Sequence, residues 1–199
     1  MISAIILAAG ESKRMGRPKM LLPWGNTTVL GHVIQVYREA SIKNITVITG
    51  SDKEAVERVA SQNGVSCIHN PDYSKGEMLS SIQIGLRSLD TDTKAALICL
   101  GDQPQVQEKV VRGILQRFEI EKVPLIVPSY QMRRGHPWLV ARLLWSAILD
   151  LQSPASTREF LTEHASLITY QIVETPSVIE DLDTPVEYQQ HIDRFEKLQ

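Results

Sequence analysis

A chain of 199 residues suits one domain of ordinary size, able to bury roughly 70% of its unfolded surface. Apolar content of 43% against 22% charged residues excludes a disordered chain, and no apolar run approaches the ~20 residues of a membrane span. A formal net charge of -2 argues against polymeric nucleic acid as the partner, because that partner would want a basic face. The apolar segment at the N-terminus lacks a cationic flank and is too short for a signal peptide. Cys67 and Cys99 lie in apolar, strand-like stretches and read as buried small hydrophobes of a cytoplasmic protein. Neither Cys nor His shows metal-ligand spacing.

Residues 1–7 form an Ile-rich run too short for a helix, which predicts a buried strand. The run breaks into Leu7-Ala8-Ala9-Gly10-Glu11-Ser12-Lys13-Arg14-Met15-Gly16-Arg17-Pro18-Lys19. Small residues at 8–10 and 12 let the backbone approach a ligand and turn its N–H groups inward. Lys13, Arg14, Arg17 and Lys19 are then expected to face the anion that those groups hold. After the first strand of an α/β protein, such a loop reads as phosphate-binding. It is neither the GxxxxGK[ST] loop nor the GxGxxG fingerprint, and a solvated basic turn is the alternative.

Apolar positions at helical spacing predict a helix over 28–40, and the β-branched run 44–49 a strand. Ser51 offers an N-cap for a helix through about Gln62, and 65–69 reads as the third strand. This β-α-β-α-β order predicts a parallel sheet covered on both faces. The turn-rich loop from His69 opens into a helix near Gly76, Ser80 and Ser81, where free N–H groups point outward; capping is the structural alternative.

The unbroken apolar run 95–100 is expected to be a central parallel strand ending at Gly101-Asp102-Gln103-Pro104. Ligands of open α/β sheets collect at the carboxyl ends of strands, so Asp102 projects into a site and offers oxygen to Mg²⁺. An Asx-type turn is the other reading of Asp102. A helix over 107–119, a strand over 124–128 and a glycine-turned hairpin-like segment over 129–140 follow. That segment carries Arg133-Arg134-Gly135-His136-Pro137, where a turn histidine is more often structural and the arginines read equally as a solvated pair or a phosphate clamp. Residues 141–164 read as two helical pieces split at Ser153-Pro154, the second capped by Ser156 or Thr157; 167–173 reads as a strand. Thr184, Pro185 and Glu187 form a capping box for the last helix, which leaves Asp181 and Asp183 unexplained.

The motifs LAAGxSxRMG, KMLLPW, HNPDY, GDQP, GHP and DLDTP occur in the order that resembles the molybdenum cofactor cytidylyltransferases of the MobA-like NTP transferase family. The resemblance implies a single domain over 1–199 with a Rossmann-like, glycosyltransferase-A-like α/β fold. It implies that Leu7, Ala8, Ala9, Gly10 and Ser12 wrap a nucleoside triphosphate, with Arg14 and Lys19 on the phosphates. Gly76, Ser80 and Ser81 would read base and ribose, and Gly101 would line the nucleotide. Asp102 and Asp183 would hold Mg²⁺, and Gly135, His136 and Pro137 would flank the acceptor.

The implied reaction moves CMP from CTP to the phosphate of Mo-molybdopterin and releases pyrophosphate, with Lys19, Arg14 and Asp102 catalytic. The methyl of Ala9, where guanylyl-transferring relatives usually have glycine, implies a pyrimidine pocket. A xanthine-dehydrogenase-type hydroxylase or its maturation factor is the implied partner. Transfer to another phosphorylated acceptor, such as a polyol or sugar phosphate, stays open, as does a non-catalytic cofactor-insertion chaperone.

Overall fold

The computed structural model describes residues 1–75, 77–152 and 156–197, apart from the side chain of Glu77. Strand β1 (Ile2–Ala8) is the apolar run at the N-terminus, and it sits in the middle of the main sheet. After it come a two-stranded ribbon, β2 (Pro23–Trp24) and β3 (Thr27–Thr28), and helix α1 (Val29–Glu39). Then β4 (Asn44–Thr49), α2 (Lys53–Gln62) and β5 (Ser66–His69) complete the first half. The second half runs α3 (Glu77–Arg87), β6 (Ala95–Leu100), α4 (Glu108–Glu121) and β7 (Leu125–Tyr130). It closes with β8 (Arg133–Arg134), β9 (Trp138–Ala141), α5 (Trp145–Leu149), α6 (Thr157–Glu163), β10 (Ile168–Ile172) and α7 (Pro185–Glu196).

The main sheet has the order β10-β7-β9-β6-β1-β4-β5, with β8 on β7. Strands β6, β1, β4 and β5 pair in parallel. β9 runs against both β6 and β7, so the sheet is mostly parallel with one reversed strand in its middle. The chain leaves β1 toward β4 and β5, then returns to β6 on the other side of β1. That change of direction leaves a crevice beyond the carboxyl ends of β1 and β6, where α/β sheets bind ligands.

Alternation along β1 divides the core. Ala4, Ile6 and Ala8 pack with α1, α2 and α4, whereas Ile5 and Leu7 pack with α3, α5 and α6. A third cluster joins Met15, Leu22, Trp24 and Val29 to Leu182 and Tyr188, seating the segment after β1 against α7. Tyr188 Oη donates to Pro23 O at 2.6 Å across the same contact. Among the described residues, no helix is long and apolar enough to cross a membrane.

Two local expectations change. Asp52, not Ser51, stands at the N-cap of α2, and it makes no side-chain cap bond. Ser51 Oγ instead donates to Gly10 O at 3.0 Å, so the hydroxyl braces the loop after β1. The β7–β8 hairpin turns on Gln131 and Met132, whose φ values of 47° and 65° lie in the left-handed region, and not on Gly135. Gly135 answers a close approach, because a Cβ there would fall 2.2 Å from Val178 O. Ser156 caps α6 and Thr184 caps α7, each in a full capping box. The proposed break at Ser153-Pro154 lies outside the described residues.

Candidate active site

The loop after β1 has a fixed shape before any ligand is considered. Ser12 adopts φ 51° and its carbonyl accepts from Met15 N and Gly16 N at 3.0 and 3.2 Å. Ser12 Oγ accepts from Lys19 N at 3.2 Å, which closes the loop on itself. Gly50 follows β4 and lies under Ala9 so closely that a Cβ would meet Ala9 O at 2.2 Å. Gly101 N donates to Leu7 O at 2.9 Å, so the segment after β6 sits beside that after β1.

These elements bring together side chains far apart in the chain. Lys19 Nζ donates to Asp102 Oδ2 and, at 3.2 Å, to Asp183 Oδ1. Arg14 Nη2 donates to Asp183 Oδ2 at 2.6 Å. Lys19 is largely buried, its side chain 11% exposed, whereas that of Arg14 is 70% exposed. Burial works against the Lys19 ammonium, but Asp102 and Asp183 outweigh it and hold its pKa above the usual lysine value. Asp102 comes one residue after the end of β6, past Gly101, while Asp183 is set by the start of α7, where Glu187 Oε2 accepts from Asp183 N at 3.2 Å and Thr184 N at 2.8 Å.

Beside this cluster is a cleft of about 390 Å³, within the range of small-ligand sites. Leu7, Ala9, Gly10, Lys19, Met20, Tyr73, Met78, Ser81, Leu100, Asp102, Asp181 and Asp183 are among its lining residues. An adjoining lobe of about 250 Å³ is bounded by Gly10, Glu11, Ser12, Lys13, Arg14, Lys19 and Asp183. Ala8 does not line either space, because strand alternation turns its side chain into the core.

The cations sort themselves differently from the sequence expectation. Arg14 and Lys19 face the carboxylates, but Lys13 Nζ lies 2.7 Å from Glu11 and Arg17 sits over the Tyr188 ring at 5.8 Å. Ser80 and Ser81 fall within α3, and both hydroxyls accept from Asn70 Nδ2 at 2.9 Å. Ser81 lines the cleft and Ser80 does not; Gly76 lies outside the described residues. Gly135, His136 and Pro137 are not among the residues lining the cleft or its lobe. His136 N donates to Val178 O at 2.9 Å, and its ring stacks on Trp138 with centroids 4.4 Å apart. Burial pushes the His136 pKa down to about 3, so the ring is neutral and its shielded Nε2 has no partner among the described residues.

Sequence reasoning missed several supporting residues. Gly50 and Ser51 directly follow β4, so the strand-end rule applied to a second parallel strand would have found them. Asp181 is fixed by Gln103 Nε2 at 2.8 Å; burial and the neighbouring Asp102 raise its pKa above the usual carboxylate value. Tyr73 and Met78 come from the loop and helix already singled out for the base.

The donor set fits Mg²⁺. Asp102 and Asp183 offer hard oxygen ligands toward one point, and a cation, the Lys19 ammonium, already bridges them there. Among the described residues, no cluster of three or more His, Cys, Asp or Glu is arranged to hold a metal. Two carboxylates completed by substrate oxygens is the usual pattern for Mg²⁺ on phosphates.

Known proteins carry the same plan. Residues 4–167 match the family model described as MobA-like NTP transferase domain. The chain is 31% identical over 197 residues to the molybdenum cofactor cytidylyltransferase of Escherichia coli (strain K12), covering 94% of this chain and 93% of that protein. It is 28% identical over 190 residues to nicotine blue oxidoreductase of Paenarthrobacter nicotinovorans, covering 92% of each. The crystal structure of Rv0371c from Mycobacterium tuberculosis H37Rv superposes with a TM-score of 0.85 at 26% identity, over 96% of this chain and 97% of that one. By its family match, its sheet and the cleft between the ends of β1 and β6, this chain belongs to the MobA-like NTP transferase family and is a nucleotidyltransferase.

Proposed function

We propose that the protein transfers CMP from CTP to the phosphate of Mo-molybdopterin, giving the cytosine dinucleotide cofactor and pyrophosphate. The observation that carries this reading is the meeting of Asp102 and Asp183 on Lys19 Nζ in a cleft lined by Ala9 and Gly10 of the loop after β1. Supporting it is the likeness to the E. coli protein named for that activity, which extends over nearly the whole of both chains.

The chain's main task in such a transfer is to bring anions together. Two unit charges ~4 Å apart repel by about 4 kcal/mol at an effective dielectric of ~20, and several such pairs arise when a phosphate approaches a triphosphate. The small residues Ala9 and Gly10 let the triphosphate lie against backbone N–H groups, and Arg14 reaches it from the open side of the adjoining lobe. Lys19 offsets the charge that develops on the departing pyrophosphate. Asp102 and Asp183 would hold Mg²⁺, which when bound would supply charge neutralisation toward the phosphates. Ser81, Tyr73 and Met78 flank the nucleoside, and the Ala9 methyl narrows that end toward a pyrimidine.

The Gly135–His136–Pro137 segment contributes through its backbone, since the His136 N–H to Val178 bond steadies the turn leading to Asp181 and Asp183. A xanthine-dehydrogenase-type hydroxylase or its maturation factor is the proposed recipient. The test is pyrophosphate release from each of the four nucleoside triphosphates, with Mg²⁺, with and without Mo-molybdopterin. CTP-dependent release that requires the acceptor, with formation of the cytosine dinucleotide, is the expected result. Release with GTP but not CTP overturns the base assignment. Release that a sugar or polyol phosphate supports and Mo-molybdopterin does not overturns the acceptor. The oxidoreductase name of the second relative makes pyrophosphate the product to follow, since only transfer yields it.

A further inference from the structure

Lys19 is placed where a metal between Asp102 and Asp183 would be. Its ammonium contacts an oxygen of each carboxylate, and its side chain is almost wholly enclosed. Its backbone is held: the N–H is bound by Ser12 Oγ, and Lys19–Leu21 form a single tight helical turn. The side chain beyond Cα has four carbons in which to swing. There is also somewhere for it to go, because Lys19 borders both the cleft and the adjoining lobe where Gly10, Ser12 and Arg14 lie.

The charges of this group explain why position matters. Within the ion-paired group the two negative charges of Asp102 and Asp183 meet the two positive charges of Lys19 and Arg14, while Asp181 lines the same cleft outside these ion pairs. A divalent cation arriving alone meets carboxylates already matched and an ammonium at the point it must occupy. A triphosphate arriving in the lobe changes this. It gives Lys19 and Arg14 new anionic partners, draws them off the carboxylates, and brings oxygens to complete a metal shell that two aspartates only begin.

We infer that Lys19 is an internal stand-in for the metal: in the nucleotide-free protein its ammonium holds the Asp102–Asp183 position closed to divalent cations, and it yields that position only when a triphosphate draws it away. Metal and nucleotide then enter together, and the ammonium that guards the carboxylates becomes the one that grips the phosphates. This deepens the reading of the cleft as a nucleoside triphosphate site and rests on it.

The experiment is a Mn²⁺ titration of nucleotide-free protein, read from the loss of the free-ion paramagnetic resonance signal. Wild type, Lys19→Met, Lys19→Arg and the double variant Lys19→Met/Asp183→Asn are compared. Removing the ammonium is expected to tighten Mn²⁺ binding by about tenfold or more, the reverse of what loss of a merely supportive residue does. Lys19→Arg keeps the charge and should bind as weakly as wild type, and the double variant should lose the gain. Lys19→Gln replaces Lys19→Met if melting by circular dichroism finds the latter unfolded. Mn²⁺ binding by Lys19→Met that is equal to or weaker than wild type overturns the inference, as does a gain that survives loss of Asp183. The underlying site reading fails separately, when wild type retains no CTP on equilibrium dialysis in the presence of Mg²⁺.

Discussion

Gln103 Nε2 donates to Asp181 Oδ1 at 2.8 Å, tying the end of β6 to the segment that carries Asp183. Gln103 is buried, and Asp102 beside it reaches the same cleft as Asp181. The bond therefore fixes the spacing of two segments whose carboxylates must meet. Gln103→Leu leaves the solvent-facing carboxylate of Asp181 without this donor. It should cost about 0.5–1.5 kcal/mol of stability, read from urea unfolding, and raise the KM for nucleotide.

Gly50 supports the loop after β1 by having no side chain. A Cβ at that position would lie 2.2 Å from Ala9 O and 2.7 Å from Ala9 Cα, both backbone atoms that cannot turn aside. Gly50→Ala should push Ala9 and Gly10 out of register and lower turnover by up to about 100-fold, the scale of an ångström-sized misplacement. Steady-state kinetics check this, with the far-ultraviolet circular dichroism spectrum kept.

His136 makes stability depend on pH. Its folded pKa is about 3, below the ordinary 6.5, so the unfolded chain binds the proton more readily between those values. The contribution of the neutral ring is complete above about pH 6.5 and is lost as the pH falls toward 3, by up to about 1.4 kcal/mol per pH unit. Denaturant midpoints between pH 4 and 7 should fall with acid in wild type and fall less steeply in His136→Phe.

Much of this plan is legible in the sequence. The unbroken run 95–100 marks a strand buried on both faces, and the strand-end rule then points to Asp102. The capping box of Thr184 and Glu187 marks the start of α7 and so leaves Asp183 just outside a helix. Other features depend on contacts that spacing does not encode. β9 is four apolar residues with no period of their own, and its reversed place between β6 and β7 comes from pairing alone. Arg17 looks like a phosphate ligand until its place over the Tyr188 ring is seen, and Lys13 bounds the lobe while paired with Glu11. Gly135 looks like a turn glycine because the residues that make the turn, Gln131 and Met132, are not turn formers by type.

The central claim is that carboxylates converging on Lys19 act on a metal-bound triphosphate, and the turnover of Asp102→Ala tests it most directly. Lys19 keeps Asp183 as a partner in that variant, so the fold should persist, and its melting temperature checks that it does. CTP-dependent pyrophosphate release with Mg²⁺ and Mo-molybdopterin should fall by more than ~100-fold, the scale of losing one strong electrostatic stabiliser. Turnover equal to wild type would contradict the account.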